Sequence, residues 1–289
     1  MDDALVLYNG ELDFGPFKNQ YESFVNSFLR LGIKAKAMPS SEFVSALFDI
    51  GQEEQHPEVI VFLDKDVNCA SLLETRGFRL YNRAECIRLC DDKALTYLTL
   101  YKKGLPIPKT IIAPKTYKKP QSEEWCRRAA EVIGYPVVIK ECFGSLGMQV
   151  YLAENENELL KKIREIGQIP FVIQEFLHKG AGWDIRVITS GGEVIGGIKR
   201  SNQTDFRANA ARGGTVDAIS LTDSQKKLAL AAAEATGAFF AGVDLIMGDD
   251  DFLVCEVNSN MFFEAAENVL NFSVSDKIVD KIGKHCLNK

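Results

Sequence analysis

The sequence predicts an α/β protein of two or three lobes, and three observations predict it. Its 289 residues are too many for one small module and enough for several compact units, each with its own core. Strand and helix patterns alternate through residues 1–90, and beyond them hairpin signals are interleaved with capped helices.

The first lobe opens on the strand-like run Ala4–Tyr8. An amphipathic stretch from Phe17 to Leu31, closed by Gly32, and the buried-strand run Val59–Leu63 complete an open α/β pattern for residues 1–90. No glycine fingerprint follows the first strand, and Gly10 and Gly15 read as turn residues, so this lobe is expected to help hold a substrate rather than a dinucleotide. A helix over Asp92–Lys103 follows, capped by Asp91 or Asp92 and stopped by Gly104, with Pro106 and Pro108 beyond. The domain boundary is placed near residue 90, with a small α+β lobe over 91–173 and a C-terminal lobe over 174–289.

In the small lobe the pattern gives helix Glu123–Ile133 ended by Gly134, strand Val137–Lys140, a glycine loop, strand Gln149–Leu152, helix Glu156–Ile166 ended by Gly167, and strand Phe171–Glu175. The C-terminal lobe begins with strands Asp184–Thr189 and Glu193–Lys199, turning through Ser190-Gly191-Gly192. A polar, arginine-bearing loop leads to a helix over Asp223–Thr236, with Thr222 and Gln225 spaced as a capping box and Gly237 as its stop. A second hairpin pairs Gly242–Met247 with Phe252–Asn258 through Gly248-Asp249-Asp250, and a helix from Val274 to Cys286 closes the chain.

Composition narrows the function classes. With 46% hydrophobic residues and no long apolar run, a membrane span is not expected. A strand beginning almost at once, with no basic leader ahead of it, reads as an unprocessed cytoplasmic chain. A net charge of −6 argues against a nucleic-acid footprint and for small-molecule partners. Seven cysteines without a CxxC pair suit reduced thiols. His56, His178 and His285 have no recognised Ser or Cys pairing, so a hydrolase triad is not expected.

The last hairpin carries the strongest chemical signal. A turn centred on Asp250 sets Asp244 opposite Glu256, while Glu256 and Asn258 share a face by alternation. Two carboxylates and an amide oxygen suit Mg²⁺ or Mn²⁺ and leave room for phosphate and water. Such residues are commonly the solvent face of a hairpin, but Asp and Asn are poor strand formers, and Val243, Leu245, Val254 and Val257 fall mostly on the other face. Lys140 ends an apolar strand, and Gly144-Ser145-Leu146-Gly147 follows closely enough to cradle phosphates. Taken alone, that loop is more often a plain turn and that lysine a surface residue. Arg186, Arg200, Arg207 and Arg212 point to a polyanionic partner, and Asp184 with Arg186 forms a polar pair on one strand face. For Arg200 and Arg212 a solvated charged loop is the alternative reading.

The order of Asp92-Lys93, Val-Val-Ile-Lys140, the glycine loop, Gln174-Glu175-Phe176, Asp184-Ile185-Arg186, Asp205-Phe206-Arg207-Ala208-Asn209, Arg212-Gly213-Gly214, Gly242-Val243-Asp244 and Glu256-Val257-Asn258 resembles RimK-type ATP-grasp ligases over residues 75–289. The resemblance implies an ATP-grasp fold behind a Rossmann-like N-terminal domain, and ATP with two Mg²⁺ or Mn²⁺ ions. It implies that Lys93 and Lys140 meet the phosphates together with the loop of Gly144, Ser145 and Gly147. Gln174, Glu175, Phe176 and Leu177 would form the adenine hinge, Glu175 and Asp184 would meet adenosine, and Arg207 and Asn209 would face the nucleotide. Asp244, Glu256 and Asn258 would ligate metal, with Arg186 near the γ-phosphate; Arg186, Lys140 and Arg207 are the expected catalytic residues. After Glu256-Val257-Asn258 the family's usual Ala-Ser-Pro-Gly is replaced by Ser259-Asn260-Met261-Phe262, and Ala211 stands where a histidine is common.

The activity implied is amide formation from a carboxylate and an amine through an acylphosphate, on an amino acid, a peptide or a carrier protein, by a dimer or tetramer. A non-catalytic ATP-binding switch and a phosphotransferase that stops at a phosphorylated product are the competing readings.

Overall fold

In the computed structural model, which describes residues 3–12, 15–49, 57–208 and 213–287, the strands gather into three sheets. The first part of the chain runs β1 (Ala4–Tyr8), α1 (Gly15–Arg30), β2 (Ala35–Pro39), α2 (Ser40–Asp49), β3 (Val59–Leu63), α3 (Val67–Thr75), β4 (Leu80–Tyr81) and α4 (Ala84–Asp91). Its sheet is parallel in the order β2-β1-β3-β4. The central strands are apolar throughout because both faces are covered. Ala4, Val6, Val59, Val61 and Leu63 enter one core, and Leu5, Leu7, Ile60 and Phe62 enter another.

The middle of the chain comprises α5 (Lys93–Lys102), β5 (Thr110–Ile112), α6 (Glu123–Ile133), β6 (Val137–Glu141), β7 (Val150–Ala153), α7 (Glu156–Ile166) and β8 (Phe171–Glu175). Asp92 is the cap of α5, its carboxylate accepting the Ala94 N–H at 2.9 Å, while Asp91 instead binds Lys65 at 2.7 Å. The antiparallel sheet β5-β8-β6-β7 packs one face on α6 and α7, burying Val137, Ile139 and Ile173. Strand alternation sends Val138, Lys140 and Gln174 to the opposite face.

The remaining elements are β9 (Trp183–Ser190), β10 (Glu193–Ser201), β11 (Thr215–Ala218), α8 (Asp223–Thr236), β12 (Phe240–Met247), β13 (Phe252–Asn258), α9 (Glu264–Leu270) and α10 (Val274–Leu287). The expected capping box on α8 is present, and Gly237 closes the helix in the left-handed conformation, φ 69°. The sheet β11-β10-β9-β12-β13 lays Ile185, Val187, Val243, Leu245, Val254 and Val257 against the alanine face of α8. No helix among the described residues is long and apolar enough to cross a membrane.

Candidate active site

The face of the middle sheet turned away from α6 and α7 and the face of the C-terminal sheet turned away from α8 enclose a cavity of about 620 Å³ that also reaches the ends of β1 and β3. Every described residue that the sequence reading placed in the site lines it: Lys93, Lys140, Gly144, Ser145, Gly147, Gln174, Glu175, Phe176, Leu177, Asp184, Arg186, Arg207, Asp244, Glu256 and Asn258. Asn209 lies outside the described residues, as do Ala211, Arg212 and His56.

Register builds the charged floor of this cavity. Asp184 on β9 pairs across to Arg200 on β10, and Arg186 on β9 pairs across to Asp244 on β12. Arg186 donates to both oxygens of Asp244 at 2.7 and 2.8 Å. Arg200 donates to both oxygens of Asp184 at 2.7 and 2.5 Å and reaches Asp244 at 2.9 Å. Two expectations are thereby corrected. Arg200 is not in a solvated loop but on β10, 6% exposed. Asp184 and Arg186 share a face, yet each is paired with a neighbouring strand, because cross-strand partners lie closer than residues two apart on one strand.

The two acids respond differently. Burial would raise the Asp244 pKa, but the guanidinium groups of Arg186 and Arg200 outweigh it and hold that carboxyl below its ordinary value. For Asp184 burial, reinforced by the charge of Asp244, outweighs the guanidinium groups of Arg200 and Arg186 and pushes its pKa up.

The metal expectation rests on the second hairpin, where Asp244 does stand opposite Glu256. The route to that pairing differs from the expected one. Met247 pairs with Phe252 and Leu245 with Val254, a register that would oppose Asp244 to Cys255; a bulge at Cys255 restores Glu256 to the facing position. The bulge also explains how Val254 and Val257, an odd number of residues apart, both bury against α8. Asn258 donates its amide NH₂ to Gly242 O at 3.4 Å and Asp244 at 3.3 Å, which leaves its oxygen as an acceptor. The Glu256 carboxylate is 33% exposed. Among the described residues no three Asp, Glu, His or Cys side chains converge, and beside the two carboxylates stands this amide oxygen. An all-oxygen set of this kind fits a hard divalent cation.

Two lysines and a loop stand opposite. Lys140 donates to the Tyr97 hydroxyl at 3.1 Å and contacts the Cys255 thiol at 3.6 Å. Burial works against its ammonium, but Cys255, Tyr97 and Glu256 together keep its pKa above the ordinary lysine value. The Lys93 ammonium donates to Gly144 O at 3.3 Å and lies 4.0 Å from Glu256. Arg207 is held by both oxygens of Asp205 at 2.9 and 2.7 Å and donates onward to the carbonyls of Gly147 and Val150 at 2.9 and 2.8 Å. The glycine loop is thus fastened by two cations at the carbonyls of Gly144 and Gly147, and at the start of β7 through Val150. Gly147, at φ 67°, takes a conformation that a side chain would strain.

At the hinge, Gln174 donates to Thr110 at 2.9 Å, and the Glu175 carboxylate accepts the Lys109 N–H at 2.6 Å. Glu175 therefore already serves the backbone, besides lining the cavity. Sequence reasoning missed Tyr97, Cys255 and Asp205, and it missed the buried role of Arg200. The one available signal was the spacing of Asp205 two residues before Arg207. His178 packs edge-on to Phe176, and His285 bonds Tyr81 Oη at 2.5 Å. All seven cysteines are free thiols.

Comparison with known proteins bears on the family and the fold. A family model described as RimK-like ATP-grasp domain matches residues 90–282. N-acetylaspartylglutamate synthase A of Homo sapiens is 34% identical over 227 residues, 78% of this chain and 57% of that protein, so the chain spans little more than half the length of that relative. A probable alpha-L-glutamate ligase of Legionella pneumophila (strain Corby) is 31% identical over 216 residues, covering 73% of this chain and 69% of that one. Among solved structures, the ATP-grasp ligase PsnB, complexed with a precursor variant, Mg and ADP, superposes with a TM-score of 0.74 at 17% identity over 99% of both chains, a likeness of fold. The chain belongs to the RimK-like ATP-grasp family.

Proposed function

We propose that this chain is an ATP-dependent carboxylate–amine ligase that forms an amide or peptide bond through an acylphosphate. The observation that carries this reading is the convergence, in one cavity between two sheets, of Lys93, Lys140 and the glycine loop on one side with Asp244, Glu256 and Asn258 on the other. Residues 1–90 form the substrate-holding domain in this reading and 91–289 the ATP-grasp domain, with the small lobe at 91–173 and the C-terminal lobe at 174–289. We assign the adenine to the hinge Gln174–Leu177, the sugar to the Asp184 side, the phosphates to Lys93, Lys140, the glycine loop, Arg207 and Asn209, and two Mg²⁺ or Mn²⁺ ions to Asp244, Glu256 and Asn258. The protein is expected to act in the cytoplasm, where seven free thiols persist, as a homo-oligomer working on an amino acid, a peptide or a carrier protein.

Bound ATP and its divalent cations supply the phosphoryl group and much of the charge neutralisation. Lys140, pinned by Tyr97, stays protonated across the working pH range and presents a fixed positive charge. Arg186, aligned by its bidentate bond to Asp244, offers a second positive charge beside the proposed metal ligands. The loop fastened by Lys93 and Arg207 closes that side of the cavity and keeps water from the activated carboxylate. No protein nucleophile is needed.

The test is ADP release with Mg-ATP across paired panels of carboxylates and amines, wild type beside Glu256→Gln, with products identified by mass spectrometry. ADP formation that needs both partners, yields an amide and is lost in the variant is the expected result. Nucleotide binding without turnover, or ADP release with no amine present, would replace the ligase by a switch or a phosphotransferase.

A further inference from the structure

In the parallel sheet β1 and β3 are neighbours, with β2 beyond one and β4 beyond the other, so the strand order reverses between them. The crevice outside the carboxyl ends of two such strands is where open α/β sheets bind ligands. Asn9 follows β1 and Asp64 follows β3; they are joined by a hydrogen bond of 3.3 Å, and both line the cavity. This end of the cavity also takes in the chain that leaves β13 after Asn258, through Asn260 to Phe262, which meets α1 at Gln20 and Phe17.

The wall of this end is apolar. Leu12, Pro16 and Phe17 line it from the N-terminal side, with Met261 and Phe262 from the C-terminal side. The Phe17 and Phe262 rings meet edge to face, centroids 6.1 Å apart at 70°. Its charges are acidic or already paired. Asp64 accepts bonds from Asn9, Ser40 and the Lys65 backbone. Glu264 spends one oxygen on Asn19 at 2.9 Å and is exposed at the rim, and the Lys65 ammonium is held by Asp91 at 2.7 Å.

We propose that this end receives the amine substrate, that the amine carries an apolar side chain rather than a second carboxylate, and that Phe262 is the specificity-determining residue. The proposal rests on the ligase reading above. An ammonium group is drawn towards Glu264 and Asp64, whereas the carboxylate to be activated belongs beside Arg186. A side-chain carboxylate entering here would trade water for an apolar wall and two like charges, and an unpaired buried carboxylate is strongly disfavoured. An apolar side chain would instead cover the Phe17–Phe262 pair and gain by its own burial.

The experiment uses the full chain with Mg-ADP present and titrates L-leucinamide, L-phenylalaninamide and L-glutamate calorimetrically. The expected result is that one of the two amides binds at least tenfold more tightly than glutamate, and that Phe262→Arg shifts that ratio by tenfold or more towards glutamate. Mg-ADP binding by the variant confirms that it is folded, and Phe262→Leu, which removes the ring and keeps the wall apolar, should retain the preference for the amides. Glutamate bound as tightly as the amides, an unchanged ratio in Phe262→Arg, or no amine bound at millimolar concentration overturns the proposal. Failure of the ligase reading is separate: no pairing of carboxylate and amine with Mg-ATP would then release ADP and yield an amide, whichever amine the calorimetry favours.

Discussion

Arg200 holds two acids at once, and its removal is the most telling single change at the residue scale. Arg200→Met would leave Asp184 and Asp244 buried with one guanidinium between them. Breaking a buried ion pair from one side costs about 3–5 kcal/mol, so urea unfolding should show a loss of this order. Arg200→Lys keeps the charge but not the fork that bonds both oxygens of Asp184, and should fall between wild type and Arg200→Met. A variant as stable as wild type would mean that the network carries no weight. The cysteines offer a second residue-scale check. Burial pushes Cys142 up to about 12 and raises Cys255, so the reactive thiolate is scarce in both at neutral pH. Cys255 lines the cavity, while Cys142 is 2% exposed. Alkylation of Cys255 should be slow at pH 7, rise as the pH rises towards the raised pKa, and be suppressed by Mg-ATP; Cys142 should react only on unfolding. Peptide mapping after iodoacetamide at pH 7 and pH 9 measures both. Equal labelling of Cys255 with and without Mg-ATP would remove the nucleotide from this side of the cavity.

At the scale of elements, the hairpins of the C-terminal sheet show what the sequence made legible and what it hid. Their existence was readable from glycine and aspartate turns between apolar runs, and the helices from caps such as Thr222 and stops such as Gly237. The bulges were not readable. On β9–β10 the turn alone would oppose Asp184 to Lys199, and a register shift between Val194 and Gly196 brings Arg200 there instead. A bulge adds one residue without any composition signal, because what stabilises it is burial on both sides of the insertion. The glycine loop carries an element-scale prediction. Arg207 is aimed by Asp205 at the loop carbonyl of Gly147 and at Val150 where β7 begins, so Asp205→Asn should loosen its grip. Amide exchange over residues 144–149 should quicken several-fold in this variant without ATP and slow again when Mg-ATP fills the cavity. Unchanged exchange would show that the loop is held by Lys93 and its own turn. For α8, Thr222→Ala removes a reciprocal cap and should cost about 1 kcal/mol in thermal or urea unfolding.

Across the whole molecule the boundary near residue 90 cuts through shared cores. Cys86, Cys90 and Leu100 pack with the α8 alanines, and Phe24 and Phe28 of α1 pack with Phe240, Val274 and Ile278. Asn82 is bonded to the backbone of Phe239, Phe240 and Ser259. These long-range joints have no local pattern, which is why single elements were legible while their union was not; likewise β2, with sequence Ala-Lys-Ala-Met-Pro, and the two-residue β4 lack the β-branched runs that announce a strand. The core under β6 and β8 is different, drawing its buried members only from residues 126–173. The molecule should therefore open in two cooperative units, the middle sheet with α6 and α7 by itself and the first and last sheets together. Phe24→Ala, which empties a fully buried aromatic site at a cost of about 3–5 kcal/mol, discriminates. Native-state hydrogen exchange should show protection falling in parallel in β1, β3, β9 and β12, with β6 and β8 unmoved. Loss confined to β1 and β3 would make the N-terminal sheet an independent unit. Loss shared by β6 and β8 would make the chain a single one, in which the cavity between the sheets cannot widen without global unfolding.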